Sequence, residues 1–203
     1  MEAGGLRHEA LNGFEKTNIL AFGGSLVAVK ARPDANVLAT YIPDFPIYPP
    51  ETSWMREPST DRPCVVARRF PQGGRCLYFA ADIDRSYASW GLPDHAQLLA
   101  NGIRWAAGSS LPLRVDGPGV LDCNLYAQGS ATILHIVNLT TSTAWPGAAR
   151  EVIEVGPLTV RLRRRAAKCR SLVTGKAIAV GQNGEWAKAE LPSVGYHDVL
   201  VFE

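Results

Sequence analysis

Apolar and polar positions alternate with a period of two through most of the second half of the chain, and that spacing predicts strands. After residue 110 the runs "LPLRVDG", "GVLDCNLYAQ", "ATILHIVNLT", "EVIEV", "LTVRLRRR", "KCRSLVT", "KAIAV", "EWAKAELP" and "YHDVLVFE" follow one another. Gly, Pro or Asn-Gly separates most of them. Roughly seven to nine short strands in about 90 residues predict an all-β sandwich of immunoglobulin-like type over residues 111–203. In "ATILHIVNLT", Ile133, His135 and Val137 alternate with Leu134, Ile136 and Asn138. Both faces are largely apolar, which predicts a central strand.

Residues 1–110 have a mixed pattern and form a separate predicted domain. "SLVAVKA" (25–31) and "NVLATYI" (36–42) predict strands rich in β-branched and aromatic residues. The Pro-rich stretch 43–63 cannot hold a regular ladder, because each Pro removes a donor. "CVVARRF" (64–70), the turn 71–74 and "RCLYFAA" (75–81) predict a hairpin. "PDHAQLLANGIRWAAG" (93–108) predicts a helix, with Pro93 at its start and Gly108 at its stop. Leu99, Ile103 and Ala106 share one predicted face, flanked by Leu98 and Trp105.

Composition changes this picture little. Of 203 residues, 46% are hydrophobic and 20% charged, with a net charge of +2, so a packed core is expected and a polyanion-binding surface is not. Cys64, Cys76, Cys123 and Cys169 make no CxxC pair, which argues against a zinc ribbon or redox motif. Cys64 and Cys76 read as buried free thiols. The stretch "MEAGGLRHEALNGF" is neither a secretory leader nor a spanning segment, so a cytoplasmic protein is expected. Asn138-Leu139-Thr140 matches a glycosylation sequon, read as a chance match in the absence of a secretory signal.

Acyl-transfer chemistry needs a Ser or Cys on a sharp Gly-flanked turn, and no G-x-S-x-G or G-x-C-x-G occurs. His8, His95, His135 and His197 therefore have no obvious nucleophile to serve. Asp82 and Asp84 follow an apolar run, where open α/β sheets keep their chemistry. In extended chain they would lie on one side about 6 to 7 Å apart, a spacing compatible with a glycosidase pair. They equally suit a capped loop tied to Arg85. No third ligand at metal spacing accompanies them, so no metal is expected. Arg161, Arg163 and Arg165 read as a solvated strand face. Trp54, Trp90, Trp145 and Trp186 lie in or beside Gly/Pro-rich stretches and could stack on sugar rings or fill an interface. The candidate ligand-binding residues are thus Asp82, Asp84, Arg85, Trp90, His95, Trp145 and Trp186.

Three stretches carry a family resemblance: "HEALNGFEKTNILAFGG", "VLATYIPDFPIYPPETSW" and "GGRCLYFAADIDRSYASWGLPDHAQLLANGIRWAAG". They resemble the C-terminal part of the class I glutamine-amidotransferase-like fold, in the version called the β-galactosidase trimerisation domain. They are especially similar to hypothetical glycosyl hydrolase family 6 proteins. The tail, 111–203, resembles the small β-sandwich that follows this domain. The resemblance implies an α/β fold, a partial flavodoxin-like sheet over residues 1–110, ahead of the sandwich. Where amidotransferases carry a His-Pro-Glu-type segment, this chain reads Ala80-Ala81-Asp82-Ile83-Asp84. The implied function is a non-catalytic accessory or oligomerisation module of a glycoside-hydrolase-like protein. A carbohydrate-binding module using loop Trp residues, or a remnant hydrolase using Asp82 and Asp84, are the alternatives. The implied partners are a second copy of the chain or an upstream catalytic domain, with carbohydrate as a candidate ligand. No cofactor, nucleic acid or membrane is implied.

Overall fold

A computed structural model describes residues 7–108, 111–141 and 151–203. The chain divides into two compact units, residues 1–110 and 111–203.

The first unit is built on one three-stranded sheet. Its strands are β1 (Asn36–Thr40), β2 (Pro63–Arg69) and β3 (Arg75–Phe79), in the order β1-β2-β3. β2 and β3 form the predicted hairpin, with Arg69 opposite Arg75 and Val65 opposite Phe79. The connecting turn is closed by the Phe70 amide on the Gly74 carbonyl at 2.7 Å. Two helices follow: α1 (Ile83–Trp90) and α2 (Pro93–Ala107). The stretch 25–31 is not a strand. Only Leu26 bridges Ala81, and the Val27 amide donates to the Ala80 carbonyl at 2.9 Å.

This arrangement corrects the flavodoxin-like expectation. Every strand pair in the unit is antiparallel. A parallel pair needs a crossover of a dozen or more residues, usually a helix. Here the β2–β3 loop is a tight turn, and both helices come after the last strand, so no βαβ unit can form. Among the described residues the protein is mostly β, with three sheets and two α-helices.

α2 buries His95, Leu98, Asn101, Gly102 and Trp105. These recur at helical spacing, but on a different face from the Leu99–Ile103–Ala106 stripe the sequence suggests. Ile103 is 68% exposed. The buried line contains two polar residues, of which Asn101 makes its bonds internally. Asn101 Nδ2 donates to the Asn12 carbonyl at 2.7 Å, and its Oδ1 accepts from Gln97 at 2.7 Å. Gly102 lets the helix press on β3: a methyl there would lie 2.6 Å from Leu77 Cδ2. Trp105 packs with Ala10 and Ala67, and the His8 ring meets it edge-on at 4.9 Å. Cys64 is half-buried and Cys76 exposed, which corrects the expected burial of both. Cys76 alternates with Leu77 and takes the face away from α2.

The second unit is two antiparallel sheets around one core. Its strands are β4 (Leu113–Asp116), β5 (Leu121–Gln128), β6 (Ala131–Asn138), β7 (Leu158–Leu162), β8 (Cys169–Ser171) and β9 (Ala177–Ile178). β10 (Val180–Asn183), β11 (Trp186–Leu191) and β12 (His197–Phe202) complete it. One sheet runs β10-β11-β7-β4 and the other β5-β6-β12-β8-β9. Leu134 and Ile136 of β6, Leu158, Val160 and Leu162 of β7, and Leu200 and Phe202 of β12 share the core. β6 is central, between β5 and β12.

Asn138 is 3% exposed, and its Nδ2 donates to the carbonyls of Ile153 and Gly195, both at 2.8 Å. The sequon asparagine is therefore a structural clamp, with its amide committed inside the fold. Asp198 is also buried, and its carboxylate accepts from Ser171 Oγ at 2.7 Å and from the Val199 amide at 2.6 Å.

Candidate functional site

The densest gathering of the candidate residues surrounds α1 in the first unit. The sequence after β3 reads Ala80-Ala81-Asp82-Ile83-Asp84, and the chain turns from strand to helix there. Asp82 stands at the N-cap of α1 and Asp84 in its first turn. A carboxylate in either place stabilises the positive end of the helix. α1 stops at Gly91, whose φ of 63° gives the left-handed cap, with its amide on the Tyr87 carbonyl at 2.7 Å. The helix is legible in hindsight, since Ile83, Tyr87 and Trp90 fall at i, i+4 and i+7 before that Gly.

The helical turn separates the two acids. Residues two apart on a helix do not face each other. Asp82 turns inward, and a methyl on Gly24 would overlap its carboxylate. Its Oδ2 also pairs with Arg85 Nε at 3.0 Å. Asp84 is exposed. The extended-chain spacing that suits a glycosidase pair is therefore not what the fold builds, because the two acids belong to a helix start.

His95 sits in the first turn of α2 and is 1% exposed. Its Nε2–H donates to the Ala21 carbonyl across 2.8 Å, which ties the 21–25 segment to the helix. Nδ1 has no hydrogen-bond partner among the described residues. The Trp90 ring centre lies 6.0 Å from that of His95, and about half of the Trp90 surface is exposed. Gly23 allows this packing, since a methyl there would lie 2.5 Å from Cη2 of Trp90. Asp82, Trp90 and His95 thus converge on one glycine-rich segment, with Arg85 paired to Asp82.

A groove of about 490 Å³ opens beside them, lined by Ser25, Val27, Leu77 to Asp82, Asp84 and Leu99. Its walls are mainly apolar, with the two acids at one end. Among the described residues no cluster of three or more His, Cys, Asp or Glu is placed to hold a metal. No helix there is long and apolar enough to cross a membrane.

The remaining candidates lie elsewhere. Trp186 opens β11 rather than standing in a loop, and it is half-buried with the Arg114 guanidinium 5.2 Å from its ring centre. Trp145 lies outside the described residues. The arginine-rich strand carries ion pairs: Arg161 with Asp116 at 2.5 Å and Arg163 with Glu185 at 2.9 Å. Cys169 is buried in the sandwich core. Burial, helped by the nearby Asp198 charge, pushes its thiol up to about 11. Burial also raises Cys64 and Cys123.

No protein-family model matches the chain, and no curated protein matches it. Among solved structures it is similar to α-L-fucosidase isoenzyme 2 from Paenibacillus thiaminolyticus. The identity is 17% and the TM-score 0.54, over 75% of this chain and 23% of that one. It is also similar to a β-galactosidase from Bacillus circulans sp. alkalophilus, at 19% identity and a TM-score of 0.44, over 84% of this chain and 18% of that one. The chain spans less than a quarter of the length of either protein. These solved neighbours are glycoside hydrolases, and what the chain shares with the fucosidase is a β-rich fold.

Proposed function

We propose that this chain is a non-catalytic accessory region of a glycoside-hydrolase-like protein, working by association rather than by bond cleavage. The observation that carries this reading is the fucosidase likeness: three quarters of this chain matches less than a quarter of a much larger enzyme. The local geometry supports it. The Asp82 carboxylate is engaged by Arg85 and packed on Gly24, and His95 spends its Nε2 proton on a backbone carbonyl. A glycosidase pair needs both acids facing one scissile bond, and here Asp82 turns inward onto Gly24 while Asp84 faces solvent. The purified chain should show no turnover of aryl α-fucosides or aryl β-galactosides above a buffer blank. Turnover that disappears in the Asp82→Asn/Asp84→Asn double variant would overturn the reading and make the acids catalytic.

A further inference from the structure

We infer that the open edge of β3, together with the outer stripe of α2, is a docking groove for an extended strand supplied by another polypeptide segment. β2 occupies one edge of β3. The Ala80 amide donates to the Cys64 carbonyl on β2 at 2.7 Å. Antiparallel pairing alternates by two, so the backbone groups of Leu77 and Phe79 face the other way. Among the described residues no strand pairs with them there. An open edge is a template for strand addition. This edge is competent to pair, because the Leu26–Ala81 bridge already begins an antiparallel ladder at its end.

α2 supplies the second half of the argument. Its inward face is filled by Leu98, Gly102 and Trp105. Leu99, Ile103 and Ala106 recur at helical spacing on the flank of that face; Leu99 packs at the margin of the Phe14–Leu98 cluster, and Ile103 and Ala106 are exposed. Leu99 lines the groove along β3, and Ile103 lies one turn further on, largely bare. A helix that is amphipathic about one filled face would carry polar residues at these positions. Between β3 and this stripe an added strand would find both hydrogen-bonding partners and an apolar roof.

Charge fixes the chemistry of the occupant. The groove ends at Asp82 and Asp84, and Asp84 is exposed with no ion pair among the described residues. The fitting segment is extended, apolar at alternate positions and basic where it passes Asp84. This is independent of the accessory reading, since strand capture at β3 neither requires nor excludes turnover of a glycoside.

The test uses the full chain and two fluorescein-labelled hexapeptides of alternating Val and Thr, one beginning with Lys and one with Glu, read by fluorescence anisotropy. The Lys peptide should bind saturably and more tightly than the Glu peptide. Ile103→Lys, at an exposed position, should weaken binding about tenfold. Asp84→Lys should reverse the preference between the two peptides, with circular dichroism unchanged in both variants. Absence of binding to either peptide at millimolar concentration would overturn the inference, as would binding indifferent to Ile103→Lys. A chain that is dimeric by light scattering and made monomeric by Ile103→Lys would assign the groove to a second copy and overturn it too.

Discussion

Residues 111–141 and 151–203 close an apolar core between two sheets, whereas residues 7–108 lay their apolar side chains against one side of a three-stranded sheet. The sandwich has a single core in which Leu134, Ile136, Leu158, Val160, Leu200 and Phe202 are fully buried. The first unit has two small clusters, one around Phe14, Ile83 and Leu98, the other around Ala10, Ala67 and Trp105. It also leaves Ile103, Tyr78, Val27 and Val37 exposed. Burial is the dominant favourable contribution to folding, at about 25 cal/mol per Å² of apolar area. The second unit also leaves Val120, Tyr126 and Tyr196 exposed, so the difference lies in the core: one closed between two sheets, against two small clusters beside a sheet whose β3 edge is unpaired.

The sharpest way to break this comparison is to cut the sandwich core. Phe202→Ala should destabilise the second unit by about 3 to 5 kcal/mol, since an aromatic side chain leaves a cavity that cannot collapse fully. Urea denaturation should show the loss, and a cost below about 1 kcal/mol would mean the core is loosely packed. The matching change in the first unit is Gly102→Val. It places a branched side chain against Leu77 and Phe79 and should cost about 1 to 3 kcal/mol by overpacking. An unchanged melting temperature would show that α2 does not press on β3 as described.

A smaller effect concerns pH. In the folded protein the Cys169 thiol is raised from 9.0 to about 11. The unfolded chain ionises first as pH rises, so this contribution to stability is intact below about pH 9 and lost towards pH 11. Melting temperatures at neutral and alkaline pH should fall more steeply for the natural chain than for Cys169→Ala. Equal slopes would remove Cys169 from the account. Iodoacetamide under native conditions should label exposed Cys76 well before Cys169. The smallest effect is expected on the charged strand face. Arg161→Ala breaks a solvent-facing pair with Asp116 and should shift stability by at most about 1 kcal/mol.

Several elements are legible in the amino-acid sequence for definite reasons. The alternation in "ATILHIVNLT" places β6, and its two apolar faces place it centrally. The Gly-Gly turn after Phe70 places the β2–β3 hairpin. Pro93 and Gly108 bracket α2. What escapes the pattern is polar burial. His95 and Asn101 lie on the buried face of α2, with Ala21 bonded to Nε2 of His95 and Asn12 and Gln97 bonded to Asn101, and no periodicity of apolar residues reveals that. Of the stripe Leu99–Ile103–Ala106, Leu99 packs at the margin of a core cluster while Ile103 and Ala106 are exposed. The sheet class is missed for a different reason. The flavodoxin-like sheet is implied by the family resemblance, whereas the residue pattern itself points to the β2–β3 hairpin, an antiparallel pair; separately, of the strand expected at 25–31 only Leu26 and Val27 reach the sheet. At the site, Asp82 and Asp84 are found by their place after the apolar run of β3, while their divergence depends on α1, whose Gly91 stop is the available signal.

The central claim is that β3 has one closed and one open edge, and residue-resolved hydrogen exchange on the isolated chain reads it directly. The amides of Cys76 and Tyr78, which alternate with Ala80 on the β2 side, should be protected, while those of Leu77 and Phe79 should exchange as readily as exposed loops. The amides of central β6 should be far slower than either. Protection of Leu77 and Phe79 equal to that of Cys76 and Tyr78 in a monomeric sample would contradict the account.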